Sequence, residues 1–501
     1  MKQVIHLLPQ QPYVCMVVKK AFAPELCKKI IEERKNNFAK AITHYPTSYR
    51  NNDRQVVDDD TLAALLFEEI KQYVPSSIDI AGVGKDEAGN WQLKELNHRL
   101  RICRYQPEQY FNKHLDGVHY QSATVQSKLT FMVYLNDSHE FIGGRTLFFA
   151  SKDSDEVIQE FLPETGDLII FDHNIWHAGE VLHSGIKYIL RSDILYQKTS
   201  PVSSSTDQPF AEGHLGYIWA IAHNPHYVFT GGRDKLLKVW SKDGEALTSV
   251  QAHANSVVAI LPYGNDLVIT ASRDQTVRGW QLDDTTGKLL LRPLWQVWAH
   301  EATILNLCKI DDQRFASLGA DGMVQMITTK GELKKNWLAH HEWIWAMVKM
   351  NDACVLTGSE DGSLKWWDYQ KRALLGEWAH SRVPVTALVF DAPNQWLFVG
   401  RNNGTIECLQ WDNQTLKLTP LHSIYAHQGI IRCLKIHQHL LVSGAEDNLV
   451  KLWQLTKLVE ANLGFEPLKT YAHNNFVQDV LLLDQQLVSV SYDGKIAVNA
   501  Y

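Results

Sequence analysis

The chain has 501 residues, 45% of them hydrophobic and 21% charged, with a formal net charge of -7. That is too long for one ordinary core and has the make-up of a soluble globular protein, so two to four domains are expected. The negative charge argues against a general binder of nucleic acid or of an anionic membrane surface. No run approaches the roughly 20 apolar residues of a membrane span, and Met1 to Phe22 lacks the basic, apolar and small-residue order of a signal peptide. Seven scattered cysteines without a Cys-x-x-Cys pair suit a reducing compartment and exclude a cysteine-based zinc module, which makes the cytoplasm the expected location.

Two helical patterns come first, Pro24 to Phe38 and Thr61 to Tyr73. Between them Tyr49 to Asp60 is dense in charge and reads as a loop that supplies the cap of the second helix. From about residue 95 the texture changes to strand-like runs. The segment from Arg104-Tyr105 through Tyr110-Phe111-Asn112-Lys113-His114-Leu115-Asp116-Gly117 places His114 and Asp116 two apart, on one face if the segment is a strand. The apolar run Leu129 to Asn136 follows, then Gly143-Gly144-Arg145-Thr146-Leu147-Phe148. His177 arrives from a different strand, behind the apolar run Asp167 to Asp172.

Two neutral imidazoles and one carboxylate suit ferrous iron, because on one face of an octahedron they leave three adjacent positions open. A tetrahedral zinc site can use the same residues. Lys187, ten residues beyond His177, shares a strand face with Ile189 and Arg191 in a run ending at Tyr196, and a cation buried in a barrel requires an anionic partner. For Arg191 the structural alternative is an ion pair with Asp193. His119, His139, His173 and His183 read as surface or supporting residues, since none combines the spacing with the offset to Lys187.

Residues from about 95 to 196 resemble the catalytic domain of the prolyl 4-hydroxylase-like 2-oxoglutarate, iron-dependent dioxygenases. The matching runs are Arg104-Tyr105, His114-Leu-Asp116-Gly117, Tyr134 to Asp137, Gly143 to Phe148, Pro163 to Phe171, and His177 through Tyr196. The resemblance implies a double-stranded β-helix, or jelly roll, flanked by helices. It implies His114, Asp116 and His177 as Fe(II) ligands, Lys187 as anchor for the far carboxylate of 2-oxoglutarate with Arg191 as its rival, and Tyr105 as the anchor's assistant. It also implies dioxygen as oxidant and ascorbate as reductant. Arg145 stands where related sequences often have Glu. Related hydroxylases place an Arg-containing stretch over the barrel mouth, which singles out Arg50 and Arg54 as substrate-facing residues.

Lys198 to Gln208 is polar and Ser-rich, a linker between a dioxygenase domain, 1–197, and a second half, 209–501. That half is periodic. His214, His253, His300, His340, His380, His427 and His473 each follow Ala or Gly, and 20 to 23 residues after each comes a turn residue: Asp234, Asp274, Asp321, Asp361, Asn403, Asp447 and Asp493. Six residues further on, four repeats have Trp240, Trp280, Trp367 or Trp453, and the others have Ile327, Leu409 or Asn499. The pattern resembles the WD-repeat family and implies a seven-bladed β-propeller, with Pro209 to Glu212 closing the last blade as a fourth strand. The repeated His and Asp residues read as structural pairs. Arg233, Arg273, Trp343 and Arg382 are candidates for an interaction surface. A propeller beside an oxygenase points to a protein or peptide substrate recruited by the repeats. The alternatives are a small-molecule dioxygenase whose propeller serves assembly, and a scaffold without catalysis.

Overall fold

In the computed structural model the described residues are 2–10, 14–40, 49–80, 89–122, 124–151, 154–199, 209–210, 213–285, 287–460, 466–483 and 485–501. They form two compact units, residues 1–202 and 203–501, both built mainly of antiparallel strands. Of the Ser-rich segment, residues 200–208 lie outside the described residues, and Lys198 closes the strand Lys187–Lys198.

Period-two alternation divides the first unit into two cores. Its large sheet runs in the order Val4–His6, Cys15–Val18, Leu168–Asp172, Val125–Tyr134, Lys187–Lys198, Arg99–Tyr105, Asp53–Asp58 and Ala39–Lys40, with three further strands off this path. Leu100, Ile102, Phe131, Val133, Ile170 and Leu190 turn to the face covered by the helices Pro24–Arg34 and Asp60–Ile70. Their neighbours Cys103, Tyr105, Met132, Tyr134, Ile169 and Ile189 join a second core with Phe111 and Phe148 of the smaller, four-stranded sheet. All ten residues of Val125–Tyr134 are buried because both faces of that strand are covered. The result is the double-stranded β-helix with outer helices.

Asp59 caps the second helix, its carboxylate accepting the Leu62 N–H at 2.9 Å. The charged stretch before it departs from the expected loop: Asp53–Asp58 is a strand paired with Arg99–Tyr105 and with Ala39–Lys40. Its charges are absorbed locally, since the buried Asp53 carboxylate accepts from Arg104 and Gln106, both at 2.7 Å.

The second unit contains, among the described residues, seven successive antiparallel sheets, six four-stranded and the last three-stranded. The inner strands Ile218–His223, Val257–Tyr263, Ile304–Lys309, Ile344–Lys349, Val385–Asp391, Ile431–His437 and Val477–Leu483 pack each on the next, and the last packs on the first, closing a ring. The expected fourth strand of the last sheet is not formed by the described residues near 209. Pro209 and Phe210 are in a turn, Ala211 and Glu212 lie outside the described residues, and the Phe210 ring instead joins the core between Ile218, Trp240 and Val490.

The repeated residues form hydrogen-bonded chains. His340 bonds the turn residue Asp361 and the hydroxyl of Thr357, each at 2.9 Å, and that hydroxyl also receives the Trp367 Nε1 proton at 3.1 Å. His214, His253 and His427 repeat the arrangement with Trp240, Trp280 and Trp453. In the fifth sheet the chain is broken: His380 is exposed against Trp378, and buried Arg401, paired with Glu407, takes over the anchoring by donating to the Gly362 and Val383 carbonyls.

Candidate metal centre

The strands Phe111–His114 and Trp176–Gly179 are neighbours in the smaller sheet, and register sets His177 directly opposite His114. Asp116 is not in the strand, as the two-residue spacing suggests, but in the irregular segment just beyond it. All three side chains are buried, and one ligand atom from each lies within 4.8 Å of the others. Among the described residues no other group of three His, Cys, Asp or Glu side chains converges this way.

Each imidazole is oriented by its own backbone. His114 Nδ1 lies 2.7 Å from the Asn112 carbonyl and His177 Nδ1 2.9 Å from that of Ile175, which makes Nδ1 the donor and leaves the Nε2 lone pair for a metal. His114 Nε2 is buried with no hydrogen-bond partner among the described residues. Phe111 stacks on His114 at 3.7 Å and Phe171 meets His177 edge-on at 4.6 Å, walling the centre off from water. Burial, then the neighbouring His177, pushes the His114 pKa well below its usual value, so the ring is a neutral ligand.

Thr130 donates to Asp116 Oδ2 at 2.7 Å, and the Arg191 guanidinium bonds Oδ1. Burial alone would raise the Asp116 carboxyl. Arg191, then His177 and His114, outweigh it and hold the group well below the usual carboxylate range. Arg191 is thus engaged with the candidate ligand carboxylate itself. The alternative partner, Asp193, is held by Arg101 at 3.1 Å and Asn97 at 2.9 Å.

Lys187 is 3% exposed and lies opposite Tyr105 in the sheet. Its ammonium donates to the Gly144 carbonyl and sits 5.4 Å from the ring centroids of both Tyr105 and Tyr134. Burial lowers its pKa to about 8, the signature of a cation short of negative charge. The donor set fits Fe(II), and the lysine fits an anion with a remote carboxylate. Thr130 and Tyr134 escape sequence reasoning. They alternate with apolar residues in a strand otherwise read as core, and Tyr134 bonds Thr146 at 2.6 Å.

Of the residues singled out as substrate-facing, Arg50 is 3% exposed, and its guanidinium lies 4.1 Å over the Phe111 ring that stacks on His114. Its Nε donates to Asn52 at 2.9 Å. Arg54 belongs to the strand Asp53–Asp58, opposite Cys103, and is half-buried rather than in an open loop. Arg145 pairs with Glu160 at 3.1 Å. In the second unit Arg233 lies 4.9 Å over Tyr217 and Arg273 4.3 Å over Trp219, while Arg382 is exposed. Trp343 corrects the surface expectation: it is 4% exposed, packed on Trp345 at 5.3 Å.

Residues 100–192, which contain all three candidate ligands and Lys187, match the model of the 2OG-Fe(II) oxygenase superfamily. Residues 207–241, 244–281, 331–368 and 418–454 match the WD domain, G-beta repeat. The chain carries a 2OG-Fe(II) oxygenase domain and WD repeats. The four matched repeats are those that end in Trp240, Trp280, Trp367 and Trp453, where the hydrogen-bonded chain is complete. The chain is similar to WD repeat and FYVE domain-containing protein 1 of Mus musculus, 29% identical over 50% of this chain and 62% of that protein. It is also similar to the ribosome biogenesis protein WDR12 homolog of Drosophila persimilis, 22% identical over 48% and 62% respectively. The chain therefore spans about three fifths of the length of these curated relatives. Among solved structures, the computationally designed Ika8 protein aligns with a TM-score of 0.45 and 24% identity, over 58% of this chain and 98% of that one.

Proposed function

We propose that the chain is a 2-oxoglutarate- and Fe(II)-dependent dioxygenase that hydroxylates a C–H bond of a protein or peptide, in the manner of prolyl hydroxylases, with the WD repeats recruiting that substrate. The observation that carries this reading is the convergence of three buried ligand atoms in the same domain as a buried lysine whose hydrogen-bond acceptor is a backbone carbonyl.

His114, Asp116 and His177 would hold the iron, and Lys187, flanked by Tyr105, the far carboxylate of 2-oxoglutarate. When bound, iron and cosubstrate would supply the oxidising power for hydroxylation, consuming dioxygen and releasing succinate and carbon dioxide, with ascorbate serving only to return oxidised iron to Fe(II). The protein supplies order. The Asn112 and Ile175 carbonyls fix both imidazoles in one tautomer, Thr130 and Arg191 aim the Asp116 carboxylate, and Phe111 and Phe171 exclude water. Seven free cysteines agree with the cytoplasm as the site of action.

The test is iron-dependent conversion of 2-oxoglutarate to succinate without added substrate. His114→Ala or His177→Ala should abolish it while the WD-repeat half keeps its thermal transition; succinate formation by either variant at the wild-type rate would sink the assignment.

A further inference from the structure

The strand that carries His114 is clipped by a segment from earlier in the chain. The Asn112 N–H donates to the Tyr49 carbonyl at 2.9 Å, Arg50 forms an antiparallel bridge with Phe111, and the Tyr110 N–H donates to the Asn51 side chain at 2.8 Å. Asn52 leads directly into the strand Asp53–Asp58, so the clip ties the smaller sheet to the large one.

Within the clip Arg50 is 3% exposed, yet its guanidinium is permanently charged. Its Nε donates to Asn52 at 2.9 Å and its Nη2 to the Cys103 sulfur at 3.8 Å. These contacts hold the guanidinium 4.1 Å from the centre of the Phe111 ring, while the His114 imidazole lies 3.7 Å from the same centre at an interplanar angle of 17°. Two groups so near one ring centre would overlap on a single face, so they cover opposite faces. Arg50, Phe111 and His114 therefore form a three-layer stack. Tyr49 closes its side, meeting Phe111 edge-on at 5.1 Å and His114 at 5.7 Å.

Orienting an imidazole takes two restraints. The Asn112 carbonyl accepts from His114 Nδ1 at 2.7 Å and fixes the direction of one ring edge, but a single hydrogen bond leaves the ring free to roll about it. Phe111 removes that freedom only while its own ring is held in place, and Arg50 backs its far face. An alkyl side chain could fill the same space without burying a charge. A guanidinium adds a plane and an attraction to the electron-rich ring face. We infer that Arg50 is a positioning residue for the metal centre, acting through Phe111 to hold the His114 imidazole in the orientation that a metal ion requires. The inference rests on the reading of His114, Asp116 and His177 as metal ligands, and it gives Arg50 a task that precedes substrate binding.

The probe is Co(II), added to the full chain without 2-oxoglutarate or substrate, with affinity read by titration and ligand geometry by the visible absorption of the bound ion. Arg50→Met, which keeps the stem and removes plane and charge, should weaken Co(II) binding about tenfold and alter the spectrum. Arg50→Lys, which keeps the charge without the plane, should do nearly the same and serves alone if the methionine variant does not fold. Phe111→Leu removes the middle layer and should cost at least as much. Adding Arg50→Met to it should cost nothing further, because Arg50 reaches His114 only through that ring. Wild-type affinity and spectrum in a folded Arg50→Met, wild-type binding by Arg50→Lys, or losses that multiply in the double variant would each overturn the inference while leaving the ligands assigned; the first is also what an Arg50 that only contacts substrate predicts. Co(II) binding that survives His114→Ala combined with His177→Ala would instead overturn the ligand assignment, and the inference with it.

Discussion

Lys187→Met tests the electrostatics of the oxygenase half most directly. The native lysine has its pKa lowered from 10.5 to about 8 by burial, a gap that corresponds to about 3 kcal/mol of cost for keeping the charged form at pH 7. Methionine matches the stem and omits the charge, so that cost disappears. The Gly144 carbonyl loses its donor, which takes back roughly 1 kcal/mol or more. The metal-free, cosubstrate-free variant should therefore be about 1 to 2 kcal/mol more stable than the wild type at pH 7. Between about pH 8 and 10.5 the unfolded chain still holds the Lys187 proton that the native protein has released. Native wild-type stability accordingly rises with pH across that window, and the variant's advantage shrinks. Addition of 2-oxoglutarate with Mn(II) should reverse the order, because only the wild type gains an anion beside the cation. The measurement is the oxygenase-domain melting transition at pH 7 and pH 10, with and without the two ligands. A variant less stable than the wild type at pH 7, and stabilised by 2-oxoglutarate to the same extent, would refute the reasoning and remove Lys187 as the anchor.

Two further outcomes follow from the hydrogen-bond geometry. Arg191→Gln removes the cation that pairs with the buried Asp116 carboxylate and should cost the metal-free protein about 3 kcal/mol. Mn(II) should then raise the melting temperature more in the variant than in the wild type, whereas normal metal-free stability with a raised 2-oxoglutarate requirement would make Arg191 the anchor instead. In the WD repeats, His340→Leu breaks bonds to Asp361 and Thr357 and should cost about 2 kcal/mol in urea unfolding. His380→Leu, in the sheet where the repeated histidine is exposed, should stay within about 0.5 kcal/mol; equal losses at the two positions would show that the hydrogen-bonded chain does not stabilise the sheets.

Legibility differed with the range of the interaction. The convergence of His114, Asp116 and His177 was foreshadowed in the sequence, because a metal needs particular donor atoms and these three are of the right type. The helix cap at Asp59 and the alternation in Val125–Tyr134 were readable because they are local. The strand Asp53–Asp58 was not: its charged residues look like a loop until Arg104, about fifty residues away, neutralises Asp53 and Gln106 donates to it. Trp343 looked like a surface residue by its place in the repeat, and packing on Trp345 buries it. Pro209 and Phe210 likewise do not form the expected strand of the last sheet, since Phe210 has a core position to fill that no pattern of turn residues reveals.

By itself the sequence determined the candidate metal-ligand types, the period of the repeats and the boundary in texture between the two halves, all set by side-chain chemistry and chain periodicity. Tertiary structure alone decided how the charges pair. Lys187, Arg191 and Asp193 alternate along one strand and are equivalent as a pattern. Asp116, arriving from an irregular segment 75 residues earlier, takes Arg191, Arg101 takes Asp193, and Lys187 is left among tyrosines, donating to the Gly144 carbonyl. Partner choice of this kind depends on which strands become neighbours, and strand neighbourhood is a property of the fold.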